Sequence, residues 1–139
     1  MSTSATDKKV IAITGASSGI GEETAKQLVN NGFNVALLAR SEDKLRALVE
    51  ELGNDNAFAV KADVSDFNEL DKAFKQVSEH FGRIDGIFAN AGRGAKAAGI
   101  EKGDVDDWDG MLGANVNGLL YTAKAGLPYL RDTQGHFII

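Results

Sequence analysis

Apolar residues along this 139-residue chain follow two alternating rhythms. Short, nearly unbroken runs read as strands: VIAIT at 10–14, FNVALLA at 33–39, AFAVKA at 57–62 and IDGIFA at 84–89. Continuous apolar runs suit strands covered on both faces of a parallel sheet. Between them, apolar residues return every three or four positions, the period of a helix with one buried face. Ala25, Leu28 and Val29 mark a helix over 22–31, stopped by Asn31-Gly32. Leu45, Leu48, Val49 and Leu52 mark a second over 41–52, with Ser41 as N-cap. Leu70, Phe74 and Val77 mark a third, capped by Ser65 and closed by Gly82. A long helix is expected from Asp106 to about Leu130, ended or kinked by Pro128. GHFII at 135–139 opens a fifth strand, and 92–103 is an irregular Gly/Ala-rich stretch. Strands alternating with helices predict an α/β fold with a doubly wound parallel sheet of four to five strands. It fills one domain, 10–139, behind a polar leader over 1–9.

Composition narrows the function classes. Hydrophobic residues make up 43% and charged residues 25%, an ordinary globular balance. The net charge of −5 argues against nucleic acid or an anionic membrane as partner, since both reward basic patches. With no Cys there is no disulfide, thiolate zinc site or Cys nucleophile. The leader MSTSATDKK has no apolar core of a secretory signal, and no apolar run approaches the roughly 18 residues of a membrane span. The expectation is a cytoplasmic protein.

Candidate chemistry starts where the first strand hands over to a helix. Gly15, Gly19 and Gly21 occupy the turn, in the spacing G-x-x-x-G-x-G. Free N–H groups and the helix dipole favour an anion there, and glycines let backbone approach a pyrophosphate closely. The spacing is neither the common G-x-G-x-x-G fingerprint nor a P-loop, which needs Gly-Lys-Ser/Thr, and this argues against a nucleoside triphosphatase. Arg40 ends the second strand, where an acidic residue would hold the ribose hydroxyls of NAD and a basic one the 2′-phosphate of NADP. Asp63-Val64 ends the third strand, where the carboxylate could accept from an adenine amino group or simply cap a turn. Asn90-Ala91-Gly92 ends the fourth, with small residues that leave room in the crevice.

Thr14-Gly15-Ala16-Ser17-Ser18-Gly19-Ile20-Gly21, Asp63-Val64, Asn90-Ala91-Gly92 and Asn115, in that order and spacing, resemble the short-chain dehydrogenase/reductase family. The resemblance implies a Rossmann-like fold and hydride transfer between NAD(P) and an alcohol or carbonyl group. It implies that Ser17, Ser18, Ile20 and Gly15, Gly19 and Gly21 hold the cofactor, with Arg40 on the 2′-phosphate; Arg40, with no Asp or Glu before it, favours NADP over NAD. It places Asp63 and Val64 at the adenine and Asn90, Ala91 and Gly92 along the cofactor. It makes Asn115 the family's catalytic Asn, which holds a water linking the active-site lysine to solvent. Self-association is expected from the open edge of the fifth strand together with the long helix, whose family counterpart packs at a dimer interface.

The family's catalytic Ser and Tyr-x-x-x-Lys lie beyond the fifth strand, and this sequence ends inside it. Tyr121-Thr122-Ala123-Lys124 is one residue short and on the wrong element, so it reads as a helix-surface pair. The expectation is the cofactor-binding part of an NADP(H)-dependent oxidoreductase, without its proton-transfer residues. A non-catalytic NADP-binding module and a minimal Rossmann-like piece are the competing readings. Asp104, Asp106, Asp107 and Asp109 miss the calcium-loop spacing and suit the first turn of a helix. His80 and His136 read as a helix-end and a strand-start residue, and Trp108 as a helix-start packing residue. No metal is expected.

Overall fold

Val10–Thr14 (β1) runs through the middle of the sheet, and all four other strands come from later in the chain, two on each side of it. The computed structural model describes residues 8–139, so residues 1–7 of the expected leader lie outside the described residues. β1 leads into a helix at Gly19–Asn30 (α1), followed by β2 (Asn34–Ala39), α2 (Glu42–Leu52), β3 (Ala57–Lys61) and α3 (Phe67–Phe81). Then come β4 (Gly86–Phe88), α4 (Val105–Leu112), α5 (Gly118–Thr133) and β5 (His136–Ile138). The sheet order is β3-β2-β1-β4-β5 and every pairing is parallel, the doubly wound α/β arrangement the apolar runs predict.

Two cores sandwich the sheet. Val10, Ala12, Leu38 and Ile87 pack with Leu70, Phe74, Val77 and Phe81 of α3 and with Ala125 and Leu130 of α5. Ile13, Val35 and Leu37 pack on the other face with Ala25 of α1 and Leu45 and Leu48 of α2. β2 is buried at all six positions, which explains its uninterrupted apolar run. Gly126 lets α5 approach β4 closely, since a Cβ there would overlap the Ile87 side chain.

Several boundaries differ from expectation. α3 is capped by Asp66, whose carboxylate accepts from the Glu69 amide at 3.2 Å, while Ser65 is committed to Asp63. Ser41 stands at the start of α2 but makes no side-chain cap bond. The long helix is interrupted by a π-helical turn at Gly113–Asn117 and continues through Pro128 to Thr133. Leu130 is buried and the Thr133 hydroxyl donates to the Ile84 carbonyl at 2.7 Å, which ties down the turns beyond Pro128. Tyr121 is half-buried against the core, its ring edge-on to Phe67 at 6.0 Å, and only Lys124 of that pair is exposed. Trp108 packs on Gly103 as a helix-start anchor, and Asp104 caps α4 by accepting from Asp106 at 3.0 Å. Among the described residues no helix is long and apolar enough to cross a membrane.

Candidate functional site

The sheet order reverses direction at β1, with β2 to one side and β4 to the other, and a crevice opens at the C-terminal ends of these strands. That switch point is where open α/β sheets hold ligands. The crevice is a cleft of about 540 Å³. Its lining gathers Gly15, Ser17, Ser18 and Ile20 from the first turn, Arg40 from the end of β2, Asp63 and Val64 from the end of β3, and Asn90, Ala91 and Gly92 from the end of β4.

The floor is built by close backbone approach. Gly15 has φ +66°, and a Cβ there would stand 2.8 Å from the Ala91 Cα. A Cβ on Gly21 would overlap the Gly15 carbonyl oxygen and lie 2.7 Å from Asn90 Nδ2. Gly19 has φ +56° with open space around it, so its conformation and not its size requires glycine. The Thr14 hydroxyl accepts from the amides of Asn90 at 3.1 Å and Ala91 at 3.0 Å, and Asn90 Nδ2 donates to the Gly15 carbonyl at 3.3 Å. These bonds fasten the glycine turn to the end of β4.

The first turn of α1 faces the cleft with Ser18 in extended conformation and without a side-chain cap bond. Its leading N–H groups therefore have no side-chain partner from the N-cap. Ile20 is exposed at 71%. Arg40 is exposed, and its guanidinium forms no ion pair among the described residues. Lys44, one turn into α2, lines the same cleft; sequence reasoning passed over it, although its position one helical turn past Ser41 was a usable signal.

Asp63 takes the turn-capping role: its Oδ1 accepts from the Ser65 amide at 2.9 Å and hydroxyl at 2.7 Å. Burial alone would raise its carboxyl. The Ser65 hydrogen bonds and the Arg40 charge outweigh that and hold it below the ordinary value of 3.8. The negative charge is thus kept beside the cationic end of the cleft.

Asn115 stands on the π turn, a feature common at functional sites. Its Oδ1 accepts from the Arg93 amide at 2.9 Å and its Nδ2 donates to the Arg93 carbonyl at 2.8 Å. Asn115 also lines a second pocket of about 140 Å³ with Thr14, Ala91 and Thr122. Of the residues singled out in the sequence, Gly19 and Gly21 shape the turn without lining the main cleft, and Asn115 lies behind its wall; the others line it. The arrangement can hold an elongated polyanion, with backbone amides at its middle and cations at one end.

The chain matches the family described as short chain dehydrogenase over residues 9–139. An uncharacterized oxidoreductase of Staphylococcus saprophyticus is 40% identical over 131 residues, 94% of this chain and 53% of that protein. An oxidoreductase of Botryotinia fuckeliana is 42% identical over 129 residues, 92% of this chain and 47% of that protein. Among solved structures, the alcohol dehydrogenase of the archaeon Thermococcus sibiricus, complexed with 5-hydroxy-NADP, superposes with a TM-score of 0.88 at 37% identity, covering 94% of this chain and 56% of that one. The chain spans about half the length of these relatives.

Proposed function

Because this chain belongs to the short-chain dehydrogenase family, we propose that it forms the NADP(H)-binding part of an oxidoreductase acting on an alcohol or carbonyl substrate. The observation that carries this reading is the cleft itself, which joins a glycine cradle to a guanidinium with no ion-pair partner among the described residues. A Cβ would fill the cradle at Gly15 and Gly21, so the backbone there fits a group that must come close. When bound, the nicotinamide supplies or accepts the hydride. The chain's own residues bind and orient.

Gly15, Ser17, Ser18, Gly19, Ile20 and Gly21 take the pyrophosphate at the N-terminus of α1, where the dipole favours anions. Arg40 takes the 2′-phosphate, and Lys44 adds a second charge at the same end. Asp63 has spent Oδ1 on Ser65, and with its remaining oxygen it would hold the adenine amino group beside Val64. Asn90, Ala91 and Gly92 carry the cofactor along the end of β4. Asn115 fills the family's catalytic position, and the 140 Å³ pocket beside it has room for the water it would hold.

The 139 residues contain no Tyr-x-x-x-Lys, and the relatives are about twice as long. We therefore place the proton donor and the substrate-selecting residues outside these 139 residues, in a longer protein. Leu112, Val116 and Leu120 lie exposed at 51%, 48% and 61% along α4, the π turn and α5, and support self-association through this face.

Calorimetric titration of the chain with NADPH and NADH tests the reading. NADPH should bind about tenfold or more tighter, the worth of one good charge-assisted contact. Binding of neither would overturn the proposal, and equal binding would overturn the NADP preference.

A further inference from the structure

The wall of the cleft past β4 has no regular secondary structure between Ala89 and Gly99, so side-chain bonds decide where it stands. Two sets do so. Asn115 holds both backbone groups of Arg93. Asp107, on the first turn of α4, uses both carboxylate oxygens on the same stretch: Oδ1 accepts from Arg93 Nη2 at 2.9 Å, and Oδ2 accepts from the Lys96 amide at 2.7 Å. The Asp107 carbonyl accepts from Arg93 Nη2 as well, at 3.2 Å. The folded-back guanidinium lies so close to α4 that a Cβ on Gly110 would stand 2.7 Å from it.

We infer that Asp107 is a positioning residue for the cofactor cleft, fixing the Gly92–Lys96 wall by bridging the Arg93 guanidinium to the Lys96 amide. The inference rests on the nicotinamide reading of the cleft. α4 buries no residue, so the bridge adds little to the core. Arg93, Gly92 and Gly110 all line the cleft, so what the bridge does fix is the shape offered to a ligand. A wall free to leave its place lowers apparent affinity by the fraction of time it is misplaced.

The fold also says which half of the ligand should feel the change. Arg40 follows β2 and Arg93 follows β4, with β1 and the glycine turn between them. Adenosine 2′,5′-bisphosphate carries only the groups expected at the Arg40 side. NADPH continues past the glycine turn toward the wall.

The test compares wild type, Asp107→Asn and Arg93→Met for binding of NADPH and of adenosine 2′,5′-bisphosphate, with thermal melting alongside. Asp107→Asn keeps the shape but offers one acceptor oxygen where two are used. Arg93→Met keeps the backbone bonds to Asn115. A wall in place about a fifth of the time predicts about fivefold weaker NADPH binding in both variants. Bisphosphate affinity and melting temperature should stay at the wild-type values, and the Lys96 amide should exchange faster in Asp107→Asn. NADPH affinity unchanged in both variants would overturn the inference. So would equal losses for both ligands with lowered melting temperature, the signature of general destabilisation. Wild type that binds neither ligand would instead remove the function proposed for the cleft, and this positioning role with it.

Discussion

The hydroxyl of Thr14, at the end of β1, accepts a hydrogen bond from the amide of Asn90, 76 residues away at the end of β4. The same oxygen accepts from Ala91, so one buried side chain joins the two strands at the point where the sheet order reverses. Thr14→Val keeps the shape and removes the acceptor. The partly buried Ala91 N–H would lose this acceptor and Asn90 would keep only the Phe88 carbonyl, at about 1–3 kcal/mol. Urea unfolding should show that loss in Thr14→Val and little of it in Thr14→Ser; equal stability of valine and wild type would refute this account of the switch point.

Gly21→Ala should act on the ligand turn. Its Cβ has no room between the Gly15 carbonyl and Asn90 Nδ2, so the turn must shift, at about 1–3 kcal/mol of overpacking. NADPH affinity should fall about tenfold or more, because the amides proposed to hold the phosphate would move. Gly32→Ala is the control: it has open space and a positive φ, so it should cost stability without changing affinity.

Acid should unfold the protein partly through Asp85. This carboxylate is buried, which alone would raise it, but the bidentate Arg83 bonds at 2.7 and 2.6 Å and the Val10 amide at 2.9 Å hold it below 3.8. The folded state therefore binds this proton less readily than the unfolded chain. Its contribution to stability is complete above the ordinary carboxylate value and is lost as pH falls through that value toward the lower folded one. Asp63 contributes with the same sign. Unfolding free energies measured from pH 6 down to about pH 3 should fall, and Asp85→Asn should flatten that slope. An unchanged slope in Asp85→Asn would refute the assignment.

Leu120→Glu places a charge on the exposed apolar face of α5. If copies of the chain associate there, light scattering should show a smaller mass for Leu120→Glu than for wild type at the same concentration. A wild-type monomer at every concentration would contradict self-association.

The strands were legible because β1 and β2 are buried along nearly their whole length, leaving little ambiguity of period. The glycine turn was legible because its conformational demands fall on single residues, Gly15 and Gly19. The helix from Val105 was harder. Nothing in GANVN announces a π turn, and Pro128 marks a break that the anchoring of Leu130 and Thr133 overrides. Ser65 and Asp66 are adjacent and both good N-caps. The choice went to Asp66 because Asp63 had already engaged the Ser65 hydroxyl. The Arg93–Asp107 bridge spans 14 residues across an irregular loop, where no periodicity points from one partner to the other.

The proposed NADP preference turns on Arg40 and the 2′-phosphate it would hold in this cleft. Titrating Arg40→Ala and wild type with NADPH and NADH tests it most directly. Only NADPH carries the group the guanidinium would hold, so its affinity should fall by about ten- to a hundredfold while NADH is unmoved. Equal losses for the two cofactors would contradict the claim.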